Sequence, residues 1–234
     1  MRKRSVTLRD VAEHARVHPS TASRALNMRT RDLVNPTTVN RVLDVAEQLG
    51  YQPNSLARGL KMNRTFTIGM LIPDLTNPLF PPIVRGIEDG LVDAGYTLVL
   101  ANTDNDADKE RTIMEVMSRR RLDGLILATA RRDYPLLDAV LASEMPVVLI
   151  NRTADYPPVP SVTGDDHAGI GMAVKHLVSL GHTRIAHVAG TQSVTTGLAR
   201  YQSFVSWLQS AGLAIDSDRI VFADWFQEGP GAEA

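Results

Sequence analysis

The stretch VTLRDVAEHARVHPSTASRALN, residues 6–27, decides the reading of this 234-residue chain. Thr7 and Asp10 stand three apart as in a capping box, where a hydroxyl accepts an early backbone N–H and a carboxylate reaches back to the cap. Leu8, Val11, Ala12 and Ala15 then recur at i, i+3, i+4 and i+7, the apolar face of one short helix. Arg16-Val17-His18 breaks the pattern. Pro19 suits the first position of a second helix, because its missing N–H would have no partner there in any case. Ala22, Ala25 and Leu26 give that helix an apolar side, while Ser20, Thr21, Ser23 and Arg24 leave a hydrogen-bonding side near its start. Two short helices joined by a tight turn, the second polar at its N-terminal end, suit a recognition helix entering a major groove. Further along, Asn35-Pro36 reads as cap and first residue of a third helix striped by Val39, Val42, Leu43, Ala46 and Leu49 and ended by Gly50. Amphipathicity alone equally allows a three-helix bundle with no nucleic-acid role.

Charge separates these readings only in part. Residues 1–64 hold 12 Lys/Arg against 5 Asp/Glu, a net of +7, and residues 65–234 hold 13 against 21, a net of −8. A basic front on an acidic body is the footprint of a nucleic-acid-binding head, although a solvated basic tail has the same composition. Cysteine is absent, which excludes disulfides and thiolate metal ligands in this sequence. Met1-Arg2-Lys3-Arg4 is basic without an apolar segment behind it, and no apolar run reaches bilayer-spanning length. The sequence therefore reads as cytoplasmic, and associated with the nucleoid when bound to DNA.

In order along the head, Val6-Thr7-Leu8-Arg9-Asp10-Val11-Ala12, then Ser20-Thr21-Ala22-Ser23-Arg24-Ala25-Leu26-Asn27, Leu49-Gly50-Tyr51-Gln52-Pro53-Asn54 and Ala57-Arg58-Gly59-Leu60-Lys61 resemble the headpiece of the LacI/GalR family of bacterial repressors. The resemblance implies that Pro19 and Ser20 read base edges and that Arg24 contacts bases, while Thr7, Thr21, Ser23 and Asn27 hold phosphates. Pro19 offers only apolar contact, and Arg24 is the candidate for bidentate guanine recognition. Asn54 to Lys61 resembles the family's hinge helix, with Ala57 small enough for two such helices to pack side by side. Leu60 falls where the family inserts a wedge into the minor groove, and Lys61 would hold groove or backbone. An ordinary linker leucine is the plainer reading of Leu60. Three departures stand out: Arg16 at a turn position usually glycine, His18 where a serine cap is usual, which implies weaker capping, and a loop at residues 28–33 two residues longer than usual.

From Phe66 the period changes. Residues 66–72, 96–101, 124–127, 147–150 and 185–188 read as short buried strands, alternating with helical patterns at residues 83–91, 110–118 and 166–180, which indicates a parallel α/β sheet. Such sheets bind ligands beyond the carboxyl ends of their strands, so the loops of interest are residues 74–80, 102–106, 151–152 and 190–200. Ile68-Gly69, Pro73-Asp74, Asn77-Pro78-x-Phe80, Asp123-Gly124-Leu125-Ile126, Asn151-Arg152, His176-Leu177-x-x-x-Gly181-His182 and Arg200-x-x-x-Phe204 continue the resemblance, to the periplasmic-binding-protein-like domain of the same family. It implies two lobes with a crossover near residues 160–166 and effector contacts at Arg200, Phe80, Trp225, Asn77 and Asp166. A surface salt bridge is the plain alternative for Arg200, and a helix cap for Asp166. The chain ends at Ala234, just past residues 228–231, where the family begins another helix, so the second lobe is expected to be incomplete.

The expected organisation is an all-α helix-turn-helix headpiece at residues 1–52, a hinge helix and linker at 53–64, and an α/β effector and dimerisation domain at 65–234. The expected function is that of a homodimeric repressor binding a near-palindromic double-stranded operator, controlled by a sugar-like small-molecule effector, with no cofactor, metal or membrane. A solute-binding protein would suit the body but not the basic head. An enzyme would need a nucleophile elbow, a phosphate loop or metal-spaced histidines, and His176, His182 and His187 are too spread for a metal site. A non-specific architectural protein would suit Leu60 but not base readers at Pro19, Ser20 and Arg24.

Overall fold

Thr7 begins the first helix as its spacing predicts. In the computed structural model, which describes residues 6–27, 30–51, 64–224, 226 and 231–232, the Thr7 N–H and hydroxyl both donate to Asp10 Oδ2 at 2.8 Å, and the Asp10 N–H returns to Thr7 Oγ1 at 3.3 Å. Helix α1 (Leu8–His14) follows. Arg16 takes the left-handed turn with φ 53°, as its position implied, and helix α2 (Pro19–Leu26) starts three residues on. The expectation of weak capping at His18 is corrected, because its Nδ1 accepts the Ser20 N–H at 3.2 Å, doing the work of a serine oxygen. Beyond α2, the Thr30 hydroxyl donates to the Arg24 carbonyl at 3.2 Å and Arg31 Nε to the Ala25 carbonyl at 3.1 Å, so the long loop closes the end of α2. A single 3₁₀ turn (Arg31–Leu33) leads to helix α3 (Pro36–Leu49), capped by Asn35 and ended by Gly50 at φ 65°. Val11, Ala12, Ala15, Ala22, Ala25, Val39, Val42 and Ala46 form the core, and the five alanines among them let the helices approach closely. Thr7→Ala removes the cap, worth about 1 kcal/mol, so amide exchange along α1 in the full chain should quicken by about five-fold.

The chain divides into two compact units, Met1–Asn63 and Arg64–Ala234. In the second, β1 (Thr67–Ile72), α4 (Phe80–Asp93), β2 (Thr97–Asn102), α5 (Ala107–Arg119), β3 (Gly124–Leu127), α6 (Pro135–Ala142), β4 (Val147–Ile150) and β5 (Ser161–Val162) build a sheet of order β2-β1-β3-β4-β5. Every pairing is parallel, as the buried-type strand sequences predict. Alternation along β1 supplies both faces: Met70 and Ile72 pack with Phe80 of α4, and Leu71 packs with Met114 and Met117 of α5 and Leu137 of α6. Asp106 caps α5 by accepting the Asp108 and Lys109 N–H groups at 2.8 and 2.9 Å, and these bonds hold its carboxyl below the usual carboxylate range. A Cβ at Gly69 would lie 2.6 Å from Leu122 Cδ1 and 2.7 Å from Leu125 Cδ2, so any larger residue there would require those side chains to shift.

A second group follows: α7 (Asp166–Ser179), β6 (His187–Ala189), α8 (Thr195–Ser210) and β7 (Ile220–Phe222), with β6 and β7 paired in parallel. Val174, Phe204 and Leu208 are its buried core, with Trp207 against it. The Trp207 indole donates to the His167 carbonyl at 3.0 Å, and its ring would come within 2.4 Å of any Cβ at Gly171. Three expectations change. The strand read at residues 185–188 is His187–Ala189, because only those residues meet β7. The helix read from Ile83 starts at Phe80, since Pro81 and Pro82 fit a first turn. Residues 190–200, read as a loop, become helix from Thr195, which puts Arg200 on α8.

Candidate functional site

The outer face of α2 is one candidate site. Ala22 and Ala25 point into the core, which turns Ser20, Ser23 and Arg24 outward to solvent, with Pro19 and Thr21 half-buried. The Arg24 guanidinium has no protein partner among the described residues and sits one turn from Ser20, at i+4. The Ser20 hydroxyl lies 2.7 Å from His18 Nδ1, so its proton is directed inward and its lone pairs outward as acceptors. Asn27 is the C-cap of α2. Thr7, one of the residues assigned to phosphate, belongs to the capping box on both sides of its hydroxyl and is thereby held by the protein. Asn54, Ala57, Leu60 and Lys61 lie outside the described residues, as does the hinge read at residues 53–64.

The second site lies at the carboxyl edge of the five-stranded sheet. From β1 the chain passes to β2 on one side and returns to β3 on the other, so the loops after β1 and β3 diverge and leave a crevice between them. The loop after β1 is tied to itself and to β2. Asp74 Oδ1 accepts the Thr76 N–H at 2.9 Å, Asn77 Oδ1 accepts the Leu79 N–H at 3.0 Å, and Leu75 N–H donates to Asn102 Oδ1 at 2.9 Å. The Asn77 carboxamide oxygen is therefore occupied by its own turn. Phe80 is 1% exposed and packed among Met70, Ile72, Ala128 and Ile150, so its ring is core and presents no surface to a ligand. Trp225 lies outside the described residues.

Beyond β3 and β4 the site is rich in guanidinium groups. Arg131 donates to the Asn105 carbonyl at 2.8 Å, and Arg132 pairs with Asp155 at 2.8 Å. Glu110 is 1% exposed and accepts the Tyr134 hydroxyl at 2.5 Å, while that phenol oxygen lies 3.0 Å from Thr129 Oγ1. Burial, reinforced by the Glu110 charge, pushes the Tyr134 phenol far above its ordinary range and keeps it a neutral donor. Arg152 is 6% exposed, and its Nε has no hydrogen-bond partner among the described residues. Burial and then the Arg131 charge push its guanidinium down to about 10, opposed by Glu110, so it remains charged at neutral pH.

Arg200 and Asp166, assigned separately from the sequence, meet: Arg200 Nε donates to Asp166 Oδ1 at 2.7 Å. Asp165, one residue earlier, is the helix cap, accepting the Ala168 N–H at 2.8 Å, which frees Asp166 for this pair. His187 stacks on Phe204 with ring centroids 4.6 Å apart, and burial followed by the Arg200 charge holds its imidazole below its ordinary pKa. The two groups of elements join where Arg132 N–H donates to the Ser193 carbonyl at 2.9 Å and Thr153 N–H to Thr195 Oγ1 at 2.9 Å. A pocket of about 580 Å³ opens at this junction, lined by Arg131, Tyr134, Asp155 and Gln192 among others, a size suited to a small polar molecule. Sequence reasoning singled out residues 151–152 as a loop and as part of the family resemblance, and passed over Glu110, Arg131 and Tyr134 as site residues. The available signal was the pair Arg131-Arg132 following a strand's carboxyl end. Among the described residues no cluster of His, Asp and Glu is arranged to hold a metal, and no helix is long and apolar enough to cross a membrane.

Comparison with known proteins covers both units. Residues 7–54 match the family model described as bacterial regulatory proteins, lacI family. Residues 65–225 match that of periplasmic binding proteins and sugar binding domain of LacI family. The chain is 36% identical over 215 residues to a ribose operon repressor of Halalkalibacterium halodurans, an alignment that takes in 91% of this chain and 63% of that relative's length. Among solved structures it is similar to the lac repressor dimer bound to operator and the anti-inducer ONPF, with a TM-score of 0.71 and 26% identity over 95% of this chain and 66% of that one. It is also similar to a transcriptional regulator CelR–cellobiose complex, with a TM-score of 0.65 and 28% identity over 98% of this chain and 68% of that one.

Proposed function

The chain belongs to the LacI family of bacterial regulatory proteins, and on that premise we propose that it is a sequence-specific DNA-binding repressor whose grip on its operator is set by a small-molecule effector. The carrying observation is the outer face of α2, where Ser20, Ser23 and Arg24 stand exposed and the Arg24 guanidinium has no partner among the described residues. Residues 1–52 form the headpiece, residues 53–64 the hinge and residues 65–234 the effector and dimerisation domain. Two chains pair so that two headpieces address the halves of a near-palindromic site, with Leu60 as the minor-groove wedge and Ala57 at the contact between hinges. Thr21, Ser23, Asn27 and Lys61 position the head on the backbone, while Ser20, Pro19 and Arg24 read bases. The protein works in the cytoplasm, on the nucleoid, and carries out no catalysis.

The effector is a sugar or a sugar derivative held in the cleft at the carboxyl ends of β1, β3 and β4, with the Arg200–Asp166 pair as its main polar contact. Support comes from the similar structures, one a complex with cellobiose. Coupling follows if the effector binds the DNA-competent and DNA-incompetent states with different affinity. The test is selection of bound sites from random duplexes, with and without a panel of sugars. We expect one two-fold site to be enriched and at least one sugar to change its retention. Arg200→Ala should retain the enriched site and lose the sugar response. Selection that returns no common site would remove sequence-specific binding.

A further inference from the structure

The residue that caps α2 also settles which way the Ser20 hydroxyl points. His18 Nδ1 meets two groups of Ser20: it accepts the backbone N–H at 3.2 Å and lies 2.7 Å from the hydroxyl oxygen. An N–H aimed at a ring nitrogen requires a lone pair there, so Nδ1 is bare and the ring proton sits on Nε2. A hydroxyl oxygen 2.7 Å from that lone pair must turn its proton toward it, since two lone pairs at that distance repel. The one hydrogen of Ser20 Oγ is thereby committed inside the protein, and its exposed side carries lone pairs alone. The same arrangement recurs in the second unit, where Asp74 Oδ1 accepts both the Thr76 N–H at 2.9 Å and the Thr76 hydroxyl at 2.6 Å. One acceptor two residues before a hydroxyl is enough to hold both groups. A serine left to itself reads donors and acceptors on a base edge alike. Ser20 is not left to itself.

We propose that His18 sets Ser20 as an acceptor-only reader, so that the base edge Ser20 meets in the operator is an exocyclic amine, N6 of adenine or N4 of cytosine. This rests on the operator reading above and gives one position of the site its chemistry. In the major groove guanine and thymine offer carbonyl oxygens and the purines offer N7, all acceptors, and only the amines donate. The Ser20 lone pairs would stay unpaired against an acceptor, whereas an amine closes a hydrogen bond with them. Arg24, four residues on, is the complement, because a guanidinium only donates and suits guanine. The two outward side chains divide the groove between them, one accepting and one donating. His18 itself touches no base and is a positioning residue acting through Ser20.

The test pairs protein variants with base analogues, using the full chain and the site enriched by selection. Ser20→Ala first locates the base pair whose preference disappears. Each pair carries one amine in the major groove, so at that pair purine replaces adenine, or a pyrimidinone without the amine replaces cytosine. The wild-type chain should lose about five- to ten-fold in affinity, the effect of one hydrogen bond, and Ser20→Ala should lose nothing more. Comparing the four affinities cancels what the analogue does to the duplex itself. A deazapurine lacking N7 at the same pair should cost wild type and Ser20→Ala alike. His18→Ser keeps a capping oxygen, but one that can itself donate, so it releases the Ser20 hydroxyl. Its sensitivity to the amine should fall within about two-fold of none, a change that loss of a cap alone would not produce. His18→Asp, acceptor-only as Asp74 is, should keep the amine sensitivity while its charge weakens binding to every duplex. That variant also decides the matter where His18→Ser does not fold, since amine sensitivity lost in it counts against the proposal. Amine removal that costs wild type and Ser20→Ala equally, an N7 effect confined to the wild type, or undiminished amine sensitivity in His18→Ser would overturn the assignment and leave the operator reading standing. So would a Ser20→Ala variant that flattens no position. Selection that returns no common site would overturn both.

Discussion

Phe80→Ala is expected to lower the unfolding free energy of the second unit by about 3–5 kcal/mol, among the costliest single truncations available in the chain. The ring is 1% exposed and fills the face of the sheet between Met70, Ile72, Ala128 and Ile150. It is also the first residue of α4, so the cavity left behind would sit where the helix seats on the strands, with Pro81 and Pro82 limiting how far the first turn can collapse inward. Phe80→Leu keeps most of the volume and should lose well under half as much. The readout is urea unfolding of the full chain, the midpoint falling at unchanged slope. A ring that faced a ligand would behave otherwise, with a loss below about 1 kcal/mol and a large drop in effector affinity. The two outcomes separate the ligand contact implied by family resemblance from the core residue seen in the structure.

That contrast illustrates what the sequence makes legible. The headpiece was readable almost residue by residue because its signals are local. Thr7 and Asp10 close a box three residues apart, Pro19 and Pro36 mark helix starts, Gly50 marks an end, and the apolar stripes recur at helical spacing. The parallel sheet was readable from its buried strands for the same reason. The cleft was much less so. Glu110 and Tyr134 are 24 residues apart, Thr153 and Thr195 are 42 apart, and Arg200 and Asp166 are 34 apart, and no local pattern announces that such pairs meet. Arg152 is harder still, because its distinguishing property is a buried guanidinium Nε with no hydrogen-bond partner among the described residues, visible only once its neighbours have been placed. His18 shows the reverse case. Residue type suggested a poor cap, yet an imidazole nitrogen at the right φ and ψ accepts the Ser20 N–H as an oxygen would.

Arg24→Ala should reduce specific operator affinity about 10- to 100-fold, corresponding to loss of one bidentate base contact, and relax selection at a single base pair in each half-site. The structure makes this a clean substitution. The guanidinium is exposed, carries no ion pair or hydrogen bond among the described residues, and lies on the face of α2 away from Ala22 and Ala25, so its removal leaves the packing of the three helices intact. The Arg24 carbonyl, which accepts the Thr30 hydroxyl at 3.2 Å, is unaffected by a side-chain change. Arg24→Lys then divides charge from geometry. A phosphate contact needs only the positive charge, so lysine would restore binding, and alanine would weaken specific and non-specific duplexes alike. A base contact needs the planar fork, so lysine should recover non-specific affinity while specific affinity stays several-fold low. Titrations of both variants on the selected site and a scrambled duplex at two salt concentrations decide between these roles. Equal losses on the two duplexes would move Arg24 from the base readers to the backbone contacts and leave Ser20 and Pro19 to carry the sequence preference.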